Sequence, residues 1–160
     1  MNTLPLRPNV CMLVFNNQMK LFFGEREGSP GVWQFPQGGV GKSPSLEQAV
    51  LRELYEELGA EEDSFCIIRQ LRATNSYEWE ETPGHFEGKW RGQTQTFWLV
   101  EYLGEDSDIR LDRFVPEFMN WKWCNTHEVR EMAEPVRLTG YMLALREFED
   151  YCTLRSEGLA

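Results

Sequence analysis

Apolar positions near the start of the chain fall in short runs divided by residues that favour turns. Val10 to Phe15 is continuously apolar, Asn16-Asn17 supplies turn chemistry and Leu21 to Phe23 resumes the run, which predicts a β-hairpin. Gly28-Ser29-Pro30-Gly31 and Pro36-Gln37-Gly38-Gly39 read as loops around a brief Val32 to Phe35 segment. The period then changes to that of a helix. Ser43 is placed as an N-cap, Pro44 suits a first helical position, and Gly59 closes a run from Ser45 to Leu58. Within that run Leu46, Val50, Leu54 and Leu58 recur four residues apart, and Leu51 and Tyr55 widen them into one buried face.

Further along, Phe65 to Leu71, Thr94 to Tyr102 and Phe118 to Cys124 read as strands, with a long loop or irregular hairpin from Tyr77 to Gly92. Thr126 is expected to cap a short helix through Met132, and Thr139 a final one from Gly140 to about Cys152. Strands and helices mix without the regular alternation of a doubly wound sheet. The expected class is α+β, a mixed sheet covered by helices. With 160 residues and no internal repeat or linker, one domain spanning 1–160 is expected.

Composition narrows the function classes. Lys plus Arg total 16 against 26 Asp plus Glu, a net charge of −10, which disfavours a diffuse, charge-driven nucleic-acid binder and gives no expectation of DNA binding. Hydrophobic residues at 41%, with ten Phe and six Trp, are enough for a folded core. No stretch approaches the roughly 20 apolar residues of a membrane span, and Met1 to Asn9 lacks the blocks of a secretory signal. Cys11, Cys66, Cys124 and Cys152 are scattered without a close pair, so they read as reduced thiols of a cytoplasmic protein with no membrane partner.

The charge is unevenly placed. At about 100° per residue, Glu53, Glu56 and Glu57 share one arc of the predicted helix, in a last turn where the helix dipole already disfavours anions. Like charges at this spacing each weaken a helix by roughly 0.2–0.5 kcal/mol. A solvated acidic face is one reading. The other is a divalent cation held by oxygen ligands, which points to magnesium or manganese. The adjoining Pro36 to Gly39 loop adds backbone groups able to approach a metal or a phosphate.

The run from Gly38 to Ala60, GGVGKSPSLEQAVLRELYEELGA, resembles the Nudix box, with Gly38, Arg52, Glu53, Leu54, Glu56, Glu57 and Gly59 in register. It departs from the box at Pro44, where the family has a glutamate that supports loop and helix, and Glu47 is a poorly angled substitute partner for Arg52. Arg7-Pro8-Asn9-Val10, Trp33 to Gly39, Gly92-Gln93-Thr94-Gln95, Pro116-Glu117-Phe118 and Trp121-Lys122-Trp123 are similar to the RNA pyrophosphohydrolase and diadenosine tetraphosphate hydrolase group.

The resemblance implies a Nudix fold, an α/β/α sandwich around a mixed sheet, and a magnesium-dependent hydrolase of phosphoanhydride bonds, with manganese as a possible substitute. It implies metal ligation by the Gly38 carbonyl, Glu53, Glu56, Glu57 and Glu117. Glu57 or Glu117 is the expected general base, and Arg52 orients its neighbouring glutamates. Arg7, Arg26 and Arg137 are candidate phosphate contacts, Gln34, Gln93 and Gln95 are candidates to bond substrate or organise the loop, and Tyr77 and Trp79 offer aromatic faces to a base or to the core. His85 and His127 are too isolated to read as ligands. The expected partner is a nucleotide polyphosphate or an RNA 5′ end. Conversion of 5′-triphosphate RNA to the monophosphate comes first, asymmetric cleavage of diadenosine tetraphosphate second, and an inactive nucleotide-binding module is the alternative of another class. Nothing in the sequence decides between monomer and dimer.

Overall fold

The apolar run at the start becomes strand β1, Leu6–Phe15, which is central to the sheet. A computed structural model describes residues 3–160; Met1 and Asn2, the start of the amino-terminal stretch read above, lie outside the described residues. β1 turns through Asn16 into β2, Leu21–Arg26, with Phe15 opposite Leu21. The Asn16 side-chain oxygen accepts the Gln18 and Lys20 amides at 3.0 Å, which is how an asparagine stabilises a tight turn. The other strands are β3 (Trp33–Gln34), β4 (Gln37–Gly39), β5 (Phe65–Glu78), β6 (Gly92–Tyr102) and β7 (Phe118–Cys124). They form one sheet of order β3-β2-β1-β6-β5, with β4 added to β1 and β7 to β2. The β1–β6 pair is parallel and the other pairs are antiparallel, so the sheet is mixed.

Alternation along β1 divides the core between two layers. Cys11, Leu13 and Phe15 face α3 (Pro135–Ser156) and pack with its Tyr141, Ala144, Leu145 and Phe148. Val10, Met12 and Val14 face α1 (Leu46–Leu58) and pack with Ala49, Val50, Leu54 and Leu58. The result is the expected α/β/α sandwich. α2 (Thr126–Met132) joins β7 to α3. The cysteines are unpaired, with Cys11 and Cys124 buried. Among the described residues no helix is long and apolar enough to cross a membrane.

Several boundaries differ from expectation. α1 is capped by Ser45, whose side chain accepts the Gln48 amide, so Ser43 and Pro44 lie in the preceding turn. α2 is capped by Asn125 rather than Thr126. α3 begins at Pro135, and Thr139 lies inside it, its hydroxyl bonded back to the Pro135 carbonyl at 3.0 Å. β5 runs on to Glu78 because two irregularities, between Ile67 and Arg69 and between Gln70 and Thr74, let it follow β6 despite its broken alternation. The amides freed at the second of these, on Arg72 and Ala73, are taken up by Glu147 of α3 at 3.0 and 2.7 Å.

Candidate active site

The acidic end of α1 is fixed by packing. Val50, Leu54 and Leu58 are fully buried, and at about 1.5–3 kcal/mol each their burial outweighs the few tenths lost to neighbouring like charges. Gly59 adopts φ 72° to end the helix, and a Cβ there would lie 2.0 Å from the Arg110 carbonyl oxygen. The helix therefore stops where the following chain crosses it, one residue after the last turn of glutamates.

β4 closes over that turn. Glu57 is 4% exposed and accepts the Gln37 amide at 3.1 Å. A Cβ on Gly38 would fall 2.1 Å from the Glu53 carboxyl carbon, so only glycine lets the loop backbone approach this carboxylate. Arg52 extends one guanidinium nitrogen to the Gly39 carbonyl at 2.8 Å and Glu53 at 3.3 Å, linking loop to helix. Burial first, then the Glu56 charge, pushes the Glu53 carboxyl up to about 7, against the opposing pull of Arg52 and Arg7. Glu57 is pushed well above the ordinary carboxylate range, by burial first and then by Glu53 and Glu117. These are carboxyl groups crowded together in a dry place.

Glu117 reaches the same place from the start of β7. Phe118, next in the chain, packs against Gly24 of β2, where a Cβ would come within 2.5 Å of its ring. The Glu117 carbonyl accepts the Glu27 amide at 2.9 Å, which fixes the backbone there. Glu53, Glu56, Glu57 and Glu117 line one cavity of about 360 Å³ with Tyr55, Phe114 and Val115. An all-oxygen donor set, a glycine cradle and carboxylates whose charge is raised in cost by one another fit a hard divalent cation. The side chains ring the cavity: among the described residues no three acidic, histidine or cysteine groups converge into a finished coordination sphere.

The other candidates are distributed unevenly. Arg7 lies beside the box loop, bonded to Gln93 at 2.6 Å, stacked 4.7 Å over Phe86 and packed against Gly39. Gln93 and Gln95 are buried in an amide network in which Gln95 donates to Asn9 at 3.0 Å and Asn9 to Gln37 at 2.8 Å, so they organise the sheet end behind the loop. Gln34 is buried with its side-chain oxygen unpartnered. Arg26 is exposed at the end of β2, opposite Phe118. Arg137 belongs to α3, paired with Glu134 at 3.1 Å, on the face of the sheet away from α1. Tyr77 bonds Gln93, Trp79 stacks on Phe86 at 5.3 Å and His85 packs on the same ring, while His127 pairs with Glu131 at the surface. Phe114 and Val115, which sequence reasoning passed over, are lining residues whose only signal is an apolar pair before Pro116.

Pro44 has a measurable consequence. Arg52 points its fork at Gly39, Val40 and Glu53, and its buried Nε has no partner. Glu47 does not substitute, because five residues along a helix place it about 140° away. Pro44 and Arg52 line a common cavity, so Pro44→Glu is expected to give that Nε a carboxylate. A hydrogen bond to a charged group contributes about 1.5–3 kcal/mol and loss of proline from a loop costs about 0.4–1, so a net gain of about 1 kcal/mol is expected. Thermal melting of the variant checks this, and an unchanged or lower midpoint contradicts it.

The model of the NUDIX domain matches residues 5–142. The chain belongs to the NUDIX family. Among its relatives, this NUDIX chain is 38% identical over 152 residues to an RNA pyrophosphohydrolase of Novosphingobium aromaticivorans, covering 92% of this chain and 94% of the relative. It is 37% identical over 145 residues to an RNA pyrophosphohydrolase of Wolbachia pipientis subsp. Culex pipiens, covering 89% and 88% of the two chains. In solved structures the fold recurs in a C. elegans Ap4A hydrolase binary complex, with TM-score 0.65, 19% identity and coverage of 91% and 98%. It recurs also in the E. coli dihydroneopterin triphosphate pyrophosphohydrolase, with TM-score 0.63, 16% identity and coverage of 86% and 96%. NUDIX hydrolases use divalent metal ions, which agrees with the donor set of the cleft.

Proposed function

We propose that this NUDIX chain is a magnesium-dependent RNA 5′-pyrophosphohydrolase, with manganese as a substitute metal, that converts a 5′-triphosphate end to a 5′-monophosphate. The observation that carries this reading is similarity over nine-tenths of the chain to a relative named RNA pyrophosphohydrolase. The geometry supports it by supplying a role for each part of the cleft.

Glu53, Glu56 and Glu57, with the Gly38 carbonyl, would hold the metal ions, and Glu117 completes the acidic rim. Bound metal would polarise phosphoryl oxygens and acidify a bound water. Gln37 holds Glu57 through its amide, and Arg52 ties Glu53 to the loop carbonyl of Gly39, so neither carboxylate is free to swing away. Glu117 is exposed at the cleft and placed to take a proton from an attacking water. Water adds to phosphorus, one P–O–P link opens and the leaving phosphate group keeps the bridging oxygen. Arg7, beside the loop, is the cation best placed to meet a phosphate; Arg26, exposed at the end of β2, and Arg137, bonded to Tyr141 on α3, are the further candidates. The negative surface suits an enzyme that holds only the RNA end while the strand continues into solvent.

The test is to offer 5′-triphosphorylated RNA and diadenosine tetraphosphate side by side with magnesium. Formation of 5′-monophosphate RNA at a higher kcat/KM than tetraphosphate cleavage is expected. Turnover of the tetraphosphate alone would move the substrate to the dinucleotide class, and turnover of neither would end the hydrolase reading.

A further inference from the structure

The loop from Trp79 to Arg91, which joins β5 to β6, carries an aromatic cluster that neither the core nor the acidic cleft uses. Phe86 and Trp79 belong to neither apolar layer of the sandwich. Their rings are nevertheless stacked, 5.3 Å between centroids and 9° from parallel, and the Arg7 guanidinium lies 4.7 Å from the centre of the Phe86 ring. The loop aromatics thus meet at a cation beside the box loop.

Folding holds these groups together. Gly84–Phe86 forms a single 3₁₀ turn, and the Phe86 carbonyl accepts the Lys89 and Trp90 amides at 3.1 and 3.2 Å. The Trp79 amide donates to the Arg91 carbonyl at 3.0 Å, and the Arg91 amide to the carbonyl of Pro5, just before β1, at 3.1 Å. The Arg91 side chain also bonds the Leu4 carbonyl and Glu78. The loop is therefore tied to the start of β1. Arg7 itself is paired with Gln93 in the β1–β6 register and donates to its side-chain oxygen at 2.6 Å.

Arg7 is half-buried and, among the described residues, has no carboxylate partner; Gln93 is its one hydrogen-bond acceptor. Withdrawing a cation from water without an ion pair is costly, because desolvation disfavours the charge. Here the aromatic ring offsets that cost. A π face attracts a guanidinium through its quadrupole and takes up none of its N–H groups, whereas a carboxylate would occupy those groups and cancel the charge. Such a cation stays available to an anion able to accept a forked pair of hydrogen bonds, as a phosphate does. Its place is right as well: a Cβ on Gly39 would lie 2.2 Å from an Arg7 nitrogen, and the Arg7 and Glu53 charges act on each other. We propose that Phe86, backed by Trp79, is a positioning residue that holds Arg7 unpaired and fixed in orientation beside Gly39 for the phosphate chain of the substrate. The inference rests on the hydrolase reading for the identity of that anion. It gives the β5–β6 loop a part in substrate binding through Arg7, without a contact of its own.

The experiment compares the full chain with Phe86→Ala, Phe86→Tyr, Arg7→Gln and the double variant of Phe86→Ala with Arg7→Gln. Binding of imidodiphosphate, whose bridging nitrogen resists hydrolysis, is measured with magnesium by calorimetry; kcat and KM for 5′-triphosphorylated RNA are measured separately. Phe86→Ala should weaken imidodiphosphate binding about fivefold and raise KM to a similar extent with kcat within about twofold, the scale of one cation–π contact. Phe86→Tyr should restore both. In the Arg7→Gln background Phe86→Ala should change neither, because its effect passes through Arg7. Without any ligand, the Arg7 Nε–H NMR signal, identified by its loss in Arg7→Gln, should move in Phe86→Ala and stay near its place in Phe86→Tyr. An unmoved Arg7 signal, or a loss of affinity of equal size with and without Arg7, overturns the assignment. So does a lower melting midpoint with affinity unchanged, the mark of a ring that serves packing alone. Absence of RNA turnover in the unmodified protein, with the imidodiphosphate results as described, would sink the hydrolase reading and leave Phe86 as the support of an anion-binding arginine.

Discussion

Glu57→Gln should lower turnover of 5′-triphosphorylated RNA by roughly 10²–10⁴-fold, the range expected when a positioned carboxylate is lost from proton transfer or from the metal site that supports it. The substitution is well suited to its purpose. Glutamine fills the same volume, and its carbonyl oxygen can still accept the Gln37 amide that Glu57 accepts at 3.1 Å. Only the charge disappears. That charge is costly in the free protein, because burial and the carboxylates of Glu53 and Glu117 all push the Glu57 carboxyl upward. The variant should therefore melt higher than the unmodified protein without metal while losing activity. A defect in folding would move both readouts down. Turnover within tenfold of the unmodified protein would remove Glu57 from the active site.

In metal-free protein the melting temperature should fall as pH is raised from 5.5 to 8, and added magnesium should restore more at pH 8 than at 5.5. The sign follows from which state binds more protons. Glu53, raised to about 7, and Glu57, raised further, keep protons in the folded chain that the unfolded chain has released above the ordinary carboxylate range. Their contribution to stability is thus fully present below that range and is lost as pH climbs through about 7. For Glu53 alone the effect is on the order of 2–3 kcal/mol, or about 5–10 °C for a domain of this size. Ion pairs act in the opposite sense at more acidic pH: Glu149, held low by Arg130, contributes above the ordinary range and loses its effect only below it. Differential scanning fluorimetry across this window checks the claim, and a midpoint that is flat or rises with pH contradicts it. Glu57→Gln should reduce the slope.

Elements with one dominant local signal were legible in the sequence. The β1–β2 hairpin, the end of α1 at Gly59 and the whole of β7 follow from apolar runs bounded by turn or stop residues. Competing signals blurred the helix starts. Ser43-Pro44 and Ser45 both look like caps, and Ser45 prevails because its oxygen reaches the Gln48 amide three residues on. In α3 the proline was the better signal than the threonine, since Pro135 needs no amide partner at the first position. The second half of β5 was hidden because its bulges depend on Glu147, 75 residues from Arg72. The acidic helix face was readable from spacing alone, whereas the approach of Gly38 to Glu53 and the Phe114–Val115 wall required the folded chain, because neither leaves a periodic pattern.

The contact between Gly24 and the Phe118 ring links two parts of the protein with different duties. Because Phe118 is the immediate neighbour of Glu117, the height at which its ring settles on β2 sets how far Glu117 projects over the cleft. Residue 24 thus works as a spacer for the acidic rim although it carries no chemistry of its own. Enlarging it would retune the gap between Glu117 and the box helix while leaving every charged residue in place, so the width of this cleft is written in a residue that does not line it.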